Sequence, residues 1–211
     1  MGFAEELDHE GYAMGPILGE ELLRDLEGRI PGLREPLRQP VPLTPLVAWL
    51  AGTALPEQLR GVLGPKAHPV RALAMAKEGG HNWAIDWHRD TTVLAAEMKE
   101  LPGFHGWMNK AHLFQAQAPG EVMAGMLSTR IHLDDCGADQ GPLLVVPSSH
   151  SQEGMETSGA LTLTACRGEV LFMRPLLLHA SAPATDKAPR RVLHIEWAAE
   201  ELPGGLRRAW F

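Results

Sequence analysis

From about residue 70 to residue 197, the sequence consists of short apolar segments. Residues typical of turns separate these segments at regular intervals. We predict strands at 70–77, 83–88, 127–133, 143–146, 160–165, 169–173, 176–179 and 192–197, with a turn at Gly79-Gly80 after the first. Many short strands behind a helical segment are typical of a β-sandwich or a jelly roll. The sequence therefore predicts a mainly β fold with N-terminal helices.

Helical periodicity is confined to residues 1–64, which we interpret as a packing layer without chemistry of its own. Thr44-Pro45 is a helix start signal, because a capping hydroxyl precedes a proline at the first helical position. Residues 97–123 look irregular, and a loop of this length in a compact domain is usually functional or mobile. At 211 residues we expect a single domain, with a jelly-roll core at 70–198 and a lid-like loop at about 97–123.

Composition excludes several classes of partner. The formal net charge of −7 and the pI near 5.8 argue against a general binder of nucleic acid or of anionic membranes. Two cysteines, Cys136 and Cys166, are too few for a disulfide scaffold. We therefore expect a cytoplasmic protein, monomer or homodimer, that acts on a small molecule.

Two predicted strands alternate between an apolar and a polar face. Thr129, Ile131 and Leu133 alternate with the polar set Ser128, Arg130, His132 and Asp134. Residues 190–197 repeat the pattern, and their polar side carries Arg190, His194 and Glu196. Such alternation usually means a solvated outer face. Histidine beside arginine and an acid also suits a polar cavity inside a jelly roll, and both interpretations remain open.

Histidine two residues before an acid is the pattern that points to chemistry. On an extended strand the two side chains project to the same side and can hold one metal ion. The pattern occurs at His88-x-Asp90, His132-x-Asp134 and His194-x-Glu196, whereas about one such triplet is expected by chance. Only the first leaves enough strands before a later histidine, His179, for the chain to wind around and return. We therefore predict a two-histidine, one-carboxylate site at residues 88, 90 and 179.

His179 gains support from Arg190, which follows eleven residues later. A lone histidine at a strand end is more often structural. A guanidinium fixed near a metal, however, suits capture of the carboxylate of a dicarboxylate co-substrate.

Five motifs in order extend this argument to a known family. The chain resembles the phytanoyl-CoA dioxygenase family of Fe(II)- and 2-oxoglutarate-dependent oxygenases from about residue 70 to residue 197. The motifs are Asn82-Trp83…Trp87-His88-Arg89-Asp90, Leu133-Asp134-Asp135…Gly141-Pro142-Leu143, Pro147-Ser148-Ser149-His150, Leu178-His179-Ala180-Ser181 and Pro189-Arg190-Arg191-Val192-Leu193. Ser148 stands where the family usually has glycine.

The resemblance implies a double-stranded β-helix (a cupin-like jelly roll) and assigns roles to individual residues. Iron would be held by His88, Asp90 and His179. The distal carboxylate of 2-oxoglutarate would meet Arg190, with Ser181 and Ser128 beside it. Arg191 competes with Arg190, which is preferred because it shares strand parity with His194 and lies at the family's distance from the distal histidine.

Substrate contacts follow from the same polar faces and from two tryptophans. Arg130 and His132 are candidates to bind a polar or anionic group of the substrate. Trp83 and Trp107 are candidates for an apolar wall, although ordinary core packing is the more common role of such residues.

The resemblance implies an enzyme that uses Fe(II), 2-oxoglutarate and O2 and releases succinate and CO2. Related halogenases have a small residue at the place of Asp90. The aspartate therefore predicts hydroxylation of an unactivated C–H bond, or desaturation or cyclisation by the same oxidant. Two alternatives remain, a cupin-like metal-dependent isomerase or hydrolase and a catalytically inactive metal- or ligand-binding jelly roll. The isomerase or hydrolase would have no need for Arg190 and Ser181, and the intact ligand positions argue against the inactive protein.

Overall fold

The computed structural model describes residues 2–34, 38–78, 82–110 and 113–209. The helices are α1 (Phe3–Glu10), α2 (Glu20–Arg29), α3 (Leu43–Leu50), α4 (Leu55–Leu63) and α5 (Gly120–Ala124). The strands are β1 (Tyr12–Ile17), β2 (Arg38–Pro40), β3 (His68–Lys77), β4 (Ile85–His88), β5 (Thr92–Ala95), β6 (His105–Lys110), β7 (Leu113–Gln117), β8 (Met126–His132), β9 (Leu143–Val145), β10 (Leu161–Leu163), β11 (Glu169–Met173), β12 (His179–Ser181) and β13 (Arg190–Ala198). The predicted class, mainly β with N-terminal helices, is confirmed.

Three antiparallel sheets form the β part of the molecule. The large sheet has the order β1-β11-β8-β13-β3-β2, and a second sheet has the order β10-β9-β12-β4. The third, smaller sheet has the order β5-β7-β6. From β8 onward the chain passes repeatedly between the first two sheets, which is the winding of a jelly roll.

The large sheet separates an apolar layer from a polar cavity. Its apolar face packs against α2, α3 and α4, and β13 contributes Leu193, Ile195 and Trp197 to this core. The opposite face points between the two large sheets and carries Arg130, Arg190, His194 and Glu196 into a cavity. The alternation in β8 and β13 is therefore that of a sheet with helices on one side and a polar interior on the other.

Two segments differ from the sequence expectation. The segment 1–64 contains strands β1 and β2 as well as helices, and both lie at edges of the large sheet. The segment 97–123 is not irregular, because it contains β6, β7 and the start of α5, and β7 pairs with both β5 and β6. These strands were missed because Gly and Pro residues in and around them resemble loop signals, while pairing with neighbours stabilises them. Closure of 97–123 over a site stays a prediction, and the turn at Gly79-Gly80 lies outside the described residues.

The strand predicted at 176–179 lies further along the chain. Residues 174–178 form a turn in which the Leu177 amide donates to the Arg174 carbonyl at 3.0 Å, and β12 begins at His179. Leu177 and Leu178 are fully buried in this turn. Their apolar character therefore reflects core packing instead of strand pairing.

The backbone conformation at Ser148 shows why the family usually has glycine here, and the hydrogen bonds of Ser148 show how a serine is accommodated. In the described part of the chain, it is the one non-glycine residue with positive φ, at 62°. Its amide donates to the Glu10 carbonyl at 2.8 Å, and its hydroxyl donates to the His9 carbonyl at 2.8 Å. These bonds offset the strain of the left-handed conformation and attach the turn to the end of α1.

None of the helices among the described residues is both long and apolar enough to cross a membrane.

We expect the layer between helices and sheet to carry much of the stability. Leu193 is fully buried in the central strand β13, whereas Leu161 in β10 is 46% exposed. Leu193→Ala should lower the free energy of unfolding by about 2–5 kcal/mol, since it removes buried methyl groups and leaves a cavity. Leu161→Ala, the matched control, should change it by no more than about 0.5 kcal/mol. Urea unfolding followed by circular dichroism measures both, and equal effects would contradict this account of the core.

Candidate active site

Pairing between β4 and β12 brings the first two candidate ligands together. In this antiparallel pair His88 lies opposite His179, although 91 positions separate them in the sequence. The two imidazole ring centroids are 4.1 Å apart. Asp90 follows β4 directly, and its amide donates to the Pro175 carbonyl at 2.8 Å. The turn that leads into β12 therefore also holds the acid in place.

The three side chains form one cluster of potential metal ligands. Asp90 carboxylate oxygens lie 3.8 Å from His88 Nε2 and 3.9 Å from His179 Nε2. All three ligand atoms lie within 4.8 Å of one another, so that small side-chain shifts bring them to a single cation. Two imidazoles and one carboxylate are the donor set of non-haem Fe(II) sites, and they leave other coordination positions open.

Backbone carbonyls fix the orientation of both imidazoles. His88 Nδ1 lies 2.7 Å from the Asp86 carbonyl oxygen, and His179 Nδ1 lies 2.8 Å from that of Leu177. Because a carbonyl oxygen only accepts, Nδ1 carries the proton in both rings. The Nε2 lone pairs therefore point toward Asp90, as in most histidine–metal sites.

The charges around the cluster favour metal ligation over protonation. Burial lowers the pKa of His179 to about 4, although the nearby Asp90 charge opposes the shift. The imidazole is therefore neutral at pH 7. Removal from bulk water raises the pKa of Asp90, but the interactions of the carboxylate with His179, His194, His88 and Arg130 outweigh this effect, and the net pKa is lowered. The carboxylate is ionised and ready to bind a cation.

Arg89, which lies between His88 and Asp90 in the sequence, connects the surrounding turns through hydrogen bonds. Its guanidinium donates to the Leu176 carbonyl at 2.8 Å and to carbonyls of the 149–154 turn. These bonds connect the end of β4 with the segment that precedes His179. Sequence reasoning gave Arg89 no role, since a charged residue beside a motif usually faces solvent.

A cavity of about 540 Å³ opens beside the cluster. The second and third sheets contribute Leu143, Ser181, Thr92, Leu94 and Gln115 to its walls. Of the residues singled out from the sequence, its lining includes Trp83, His88, Asp90, Arg130, His179, Ser181 and Arg190. The third sheet, of which β6 and β7 were expected to be part of a loop, therefore forms one wall of the site.

Three predicted site residues lie away from the cavity lining. Ser128 is fully buried in β8, and no described atom partners its hydroxyl. His132 is also buried, with Nδ1 3.0 Å from the Glu169 carbonyl oxygen of the neighbouring strand. Trp107 packs against Phe104, with ring centroids 6.3 Å apart, in the apolar cluster beside the third sheet. Strand parity placed Ser128 and His132 on the polar face of β8, but neither side chain lines the cavity.

Only one of the two adjacent arginines faces the cavity. Arg190 is buried, and its Nη2 donates to the Ser181 hydroxyl at 3.2 Å and to the Gly141 carbonyl. Arg191 points to the other side of β13 and forms ion pairs with Asp134 at 2.6 Å and Glu27 at 3.1 Å. The structure therefore leaves Arg190 available to a molecule in the cavity and engages Arg191 in the protein.

Lys77 is a cation of the cavity that sequence reasoning missed. It lies opposite Arg190 in the β3–β13 pair and is 1% exposed. Its ammonium donates to the Ser181 hydroxyl at 2.9 Å and to the Ala182 carbonyl at 2.6 Å. Burial, followed by the charge of Arg190, lowers the pKa of Lys77 to about 8. A lysine that ends a strand looks solvated in sequence, and only the pairing with β13 shows that it is enclosed.

The jelly roll and its two-histidine, one-carboxylate cluster are those of the non-haem iron oxygenases. The chain belongs to the phytanoyl-CoA dioxygenase (PhyH) family, whose model matches residues 48–192. Membership makes the protein an oxidoreductase that uses Fe(II), 2-oxoglutarate and O2, as the sequence predicted.

Solved structures share this fold at low sequence identity. EctD from S. alaskensis in its apoform is 20% identical with a TM-score of 0.68, covering 99% of this chain and 81% of its own. HygX from Streptomyces hygroscopicus with nickel and 2-oxoglutarate bound is 13% identical with a TM-score of 0.65, covering 93% and 85%. SnoN, a non-haem α-ketoglutarate-dependent epimerase from nogalamycin biosynthesis, is 14% identical with a TM-score of 0.67, covering 96% and 89%. Comparison with curated proteins finds no significant match.

We expect the buried histidine beside the cavity to make the protein sensitive to acid. Burial, together with the charge of Arg130, lowers the pKa of His132 from 6.5 to about 4. The unfolded chain therefore binds a proton where the folded protein does not, so the stabilisation is complete above pH 6.5 and is lost as the pH falls toward 4. His132→Asn should reduce this loss by about 1.4 kcal/mol for each pH unit.

Urea unfolding of the wild type and His132→Asn across this pH range measures the effect. Asparagine keeps a donor for the Glu169 carbonyl, which limits structural change. His105→Asn, at an exposed position, tests whether loss of any histidine acts in the same way. The explanation fails if His132→Asn and the wild type lose stability equally on acidification.

Proposed function

We propose that this protein is a 2-oxoglutarate-dependent dioxygenase that oxidises an unactivated C–H bond of a small molecule, with succinate and CO2 as co-products. The observation that carries the proposal is the opening of His88, Asp90, His179 and Arg190 onto one cavity. Its volume of about 540 Å³ falls within the range of small-molecule sites, roughly 300–1,000 Å³.

His88, Asp90 and His179 are the residues proposed to hold the iron. Bound Fe(II) supplies the redox chemistry that couples decarboxylation of 2-oxoglutarate and reduction of O2 to oxidation of the substrate. The protein supplies two neutral imidazoles of fixed orientation and one ionised carboxylate, which together suit a divalent cation.

Arg190, Lys77 and Ser181 are proposed to bind the distal carboxylate of 2-oxoglutarate. The Ser181 hydroxyl lies 2.9 Å from Lys77 Nζ and 3.2 Å from Arg190 Nη2, so the three groups form one polar end of the cavity. Two buried cations so close together repel each other, which a bound carboxylate would relieve. The serine and the two cations can then donate charge-assisted hydrogen bonds to the anion.

Hydroxylation is the reaction that the ligand set favours, because Asp90 occupies the position that is small in related halogenases. Desaturation and cyclisation use the same oxidant and remain within the proposal. The proteins that share this fold are described as an epimerase, a carbocyclase and a monooxygenase, so the scaffold accommodates several outcomes. Placement of the substrate against the metal is therefore expected to select among them.

Metal binding is tested by the visible spectrum of the anaerobic protein. Fe(II) with 2-oxoglutarate should produce a weak metal-to-ligand charge-transfer band, because the keto acid chelates the metal. His88→Ala or His179→Ala should abolish the band, whereas His9→Ala, at an exposed position, should keep it. An unchanged spectrum in both ligand variants would refute the assignment. Metal binding without the band would instead favour a cupin-like isomerase or hydrolase.

Co-substrate binding is tested by titrating 2-oxoglutarate against the same band. Arg190→Gln should raise the Kd for 2-oxoglutarate roughly 10- to 100-fold, since a hydrogen bond to a charged group contributes about 1.5–3 kcal/mol. Lys77→Met should also raise it. Arg191→Gln is the matched control and should leave the Kd unchanged, because its guanidinium is engaged by Asp134 and Glu27. A weaker response to Arg190→Gln than to Arg191→Gln would reverse the two roles.

A further inference from the structure

Arg130 is a buried cation that forms no hydrogen bond or ion pair with the described residues. It lies in the middle of β8, is 7% exposed and lines the cavity. Its Nε is inaccessible to solvent and unpaired. Among the described residues, no hydrogen bond or ion pair involves its guanidinium. A buried charge without a partner is strongly unfavourable.

The other buried arginines of the cavity differ from Arg130 in this respect. Arg71 forms an ion pair with Glu196 at 3.2 Å, and Arg190 donates to Ser181 and to backbone carbonyls. Arg38, in the edge strand β2, is exposed and can be hydrated. Among the described residues, Arg130 is the buried arginine of the cavity that makes neither a hydrogen bond nor an ion pair. The charge of Asp90 acts on it at longer range, so a bound anion would be its first partner in direct contact.

Other unpaired polar atoms surround the same cavity. Eight buried side-chain nitrogen or oxygen atoms lack a partner in the described chain, and five of them belong to residues that line it. Besides Arg130 Nε they are Arg71 Nε, Trp83 Nε1, Gln115 Oε1 and His194 Nδ1. Since buried polar groups are normally hydrogen-bonded, this concentration indicates a cavity built for a polar ligand.

The charge of the cavity indicates the sign of that ligand. Five lysine or arginine side chains line it against two acids, Asp90 and Glu196. The charges of Fe(II) and 2-oxoglutarate cancel, so the loaded cavity keeps an excess of three positive charges. Burial also raises the pKa of Glu196 to about 7, which further reduces the negative charge near neutral pH. The primary substrate is therefore expected to supply negative charge.

The backbone position of Arg130 lies apart from that of Arg190, which is proposed to bind 2-oxoglutarate. Arg130 lies opposite His194 in the β8–β13 pair, and Arg190 lies four residues earlier in β13. At about 3.3 Å per residue, the backbone positions of Arg190 and His194 are about 13 Å apart along the strand, and Arg130 lies beside His194. The charge of Arg190 still reaches Arg130, but Arg190, Ser181 and Lys77 form a separate hydrogen-bonded group. We therefore expect a carboxylate held by that group to leave the guanidinium of Arg130 for a different anionic group.

We propose that the primary substrate carries an oxyanion, either a carboxylate or a phosphate, which binds the guanidinium of Arg130. The inference names the substrate class of the proposed oxygenase and rests on that proposed function. A planar guanidinium binds both groups through paired hydrogen bonds. In this role Arg130 places the substrate within the cavity that contains the metal cluster.

The test uses the anaerobic protein loaded with Fe(II) and 2-oxoglutarate, as wild type, Arg130→Gln, Arg130→Lys and Arg191→Gln. The charge-transfer band first gives the Kd for 2-oxoglutarate in each. Thermal unfolding of the loaded protein is then followed with matched probes at constant ionic strength. The pairs are propionate against propionamide and methyl phosphate against methanol.

The expected result separates Arg130 from the co-substrate site. Propionate or methyl phosphate should raise the unfolding midpoint of the wild type and of Arg191→Gln, while the neutral partners should not. Arg130→Gln should lose the shift, and Arg130→Lys should retain part of it. The Kd for 2-oxoglutarate in Arg130→Gln should stay within about threefold of wild type, in contrast to Arg190→Gln. The probe that raises the unfolding midpoint more, propionate or methyl phosphate, indicates whether the substrate carries a carboxylate or a phosphate.

Stability of the ligand-free protein provides a second measurement. Arg130→Gln should raise the midpoint of thermal unfolding, because it removes a buried charge without a partner. A purely structural arginine would show the opposite sign, so a lower midpoint or failure to fold would overturn the proposal.

Three further outcomes would also overturn the proposal. They are the same oxyanion response in Arg130→Gln as in wild type, no response in wild type, and a loss of 2-oxoglutarate affinity in Arg130→Gln as large as in Arg190→Gln. In the last case Arg130 would belong to the co-substrate site. Failure of the proposed function is distinguishable, because the charge-transfer band would then be missing from the wild type before any probe is added.

Discussion

The site depends on the antiparallel register between β4 and β12. That register sets His88 opposite His179, and the turn before β12 accepts the hydrogen bond that holds Asp90. A slip of one residue would move each side chain to the opposite face of its strand and separate the two imidazoles. The bonds from Arg89 to carbonyls of the two adjoining turns oppose such a slip. The geometry of the cluster is therefore a property of sheet pairing, and its side chains need little freedom of their own.

The large sheet reconciles two opposing requirements. A stable domain needs a continuous apolar layer, and the site needs charged groups that are removed from water. The helices cover the apolar face of the sheet. Trp197 and its neighbours therefore form the hydrophobic core between the helices and the sheet, and not inside the jelly roll. The interior is then free to hold Lys77, Arg130 and Arg190 at low exposure. Each of these cations lowers the stability of the ligand-free protein, which the helical layer offsets.

We infer that the arrangement of charge also divides the cavity by function. Arg190 and Lys77 are bonded to Ser181 and to backbone carbonyls, so the three residues form a preorganised end for an anion. Arg130 has no such network, and we propose that an anionic substrate supplies its direct partner. On this proposal one end of the cavity binds the co-substrate, and the other binds the primary substrate beside the metal cluster.

Local sequence determined much of this protein. Periodicity distinguished strands from helices, the His-x-Asp pattern identified a candidate ligand pair at residues 88 and 90, and the order of motifs identified the family. Parity along β8 and β13 placed the polar residues on one face, because successive side chains of a strand alternate. These features depend on neighbours in sequence, so they can be read without the fold.

Tertiary structure decided what lies on each side of those strands. Alternation does not show whether a polar face meets solvent or a cavity, and only the helices on the opposite face of the large sheet settle it. Lys77 enters the site because β3 pairs with β13, while Ser128 and His132 share the polar parity of β8 yet do not line the cavity. The strands β5, β6 and β7 could not be recognised because their stability comes from one another. Long-range pairing and depth of burial are set by the whole fold, and no local pattern encodes them.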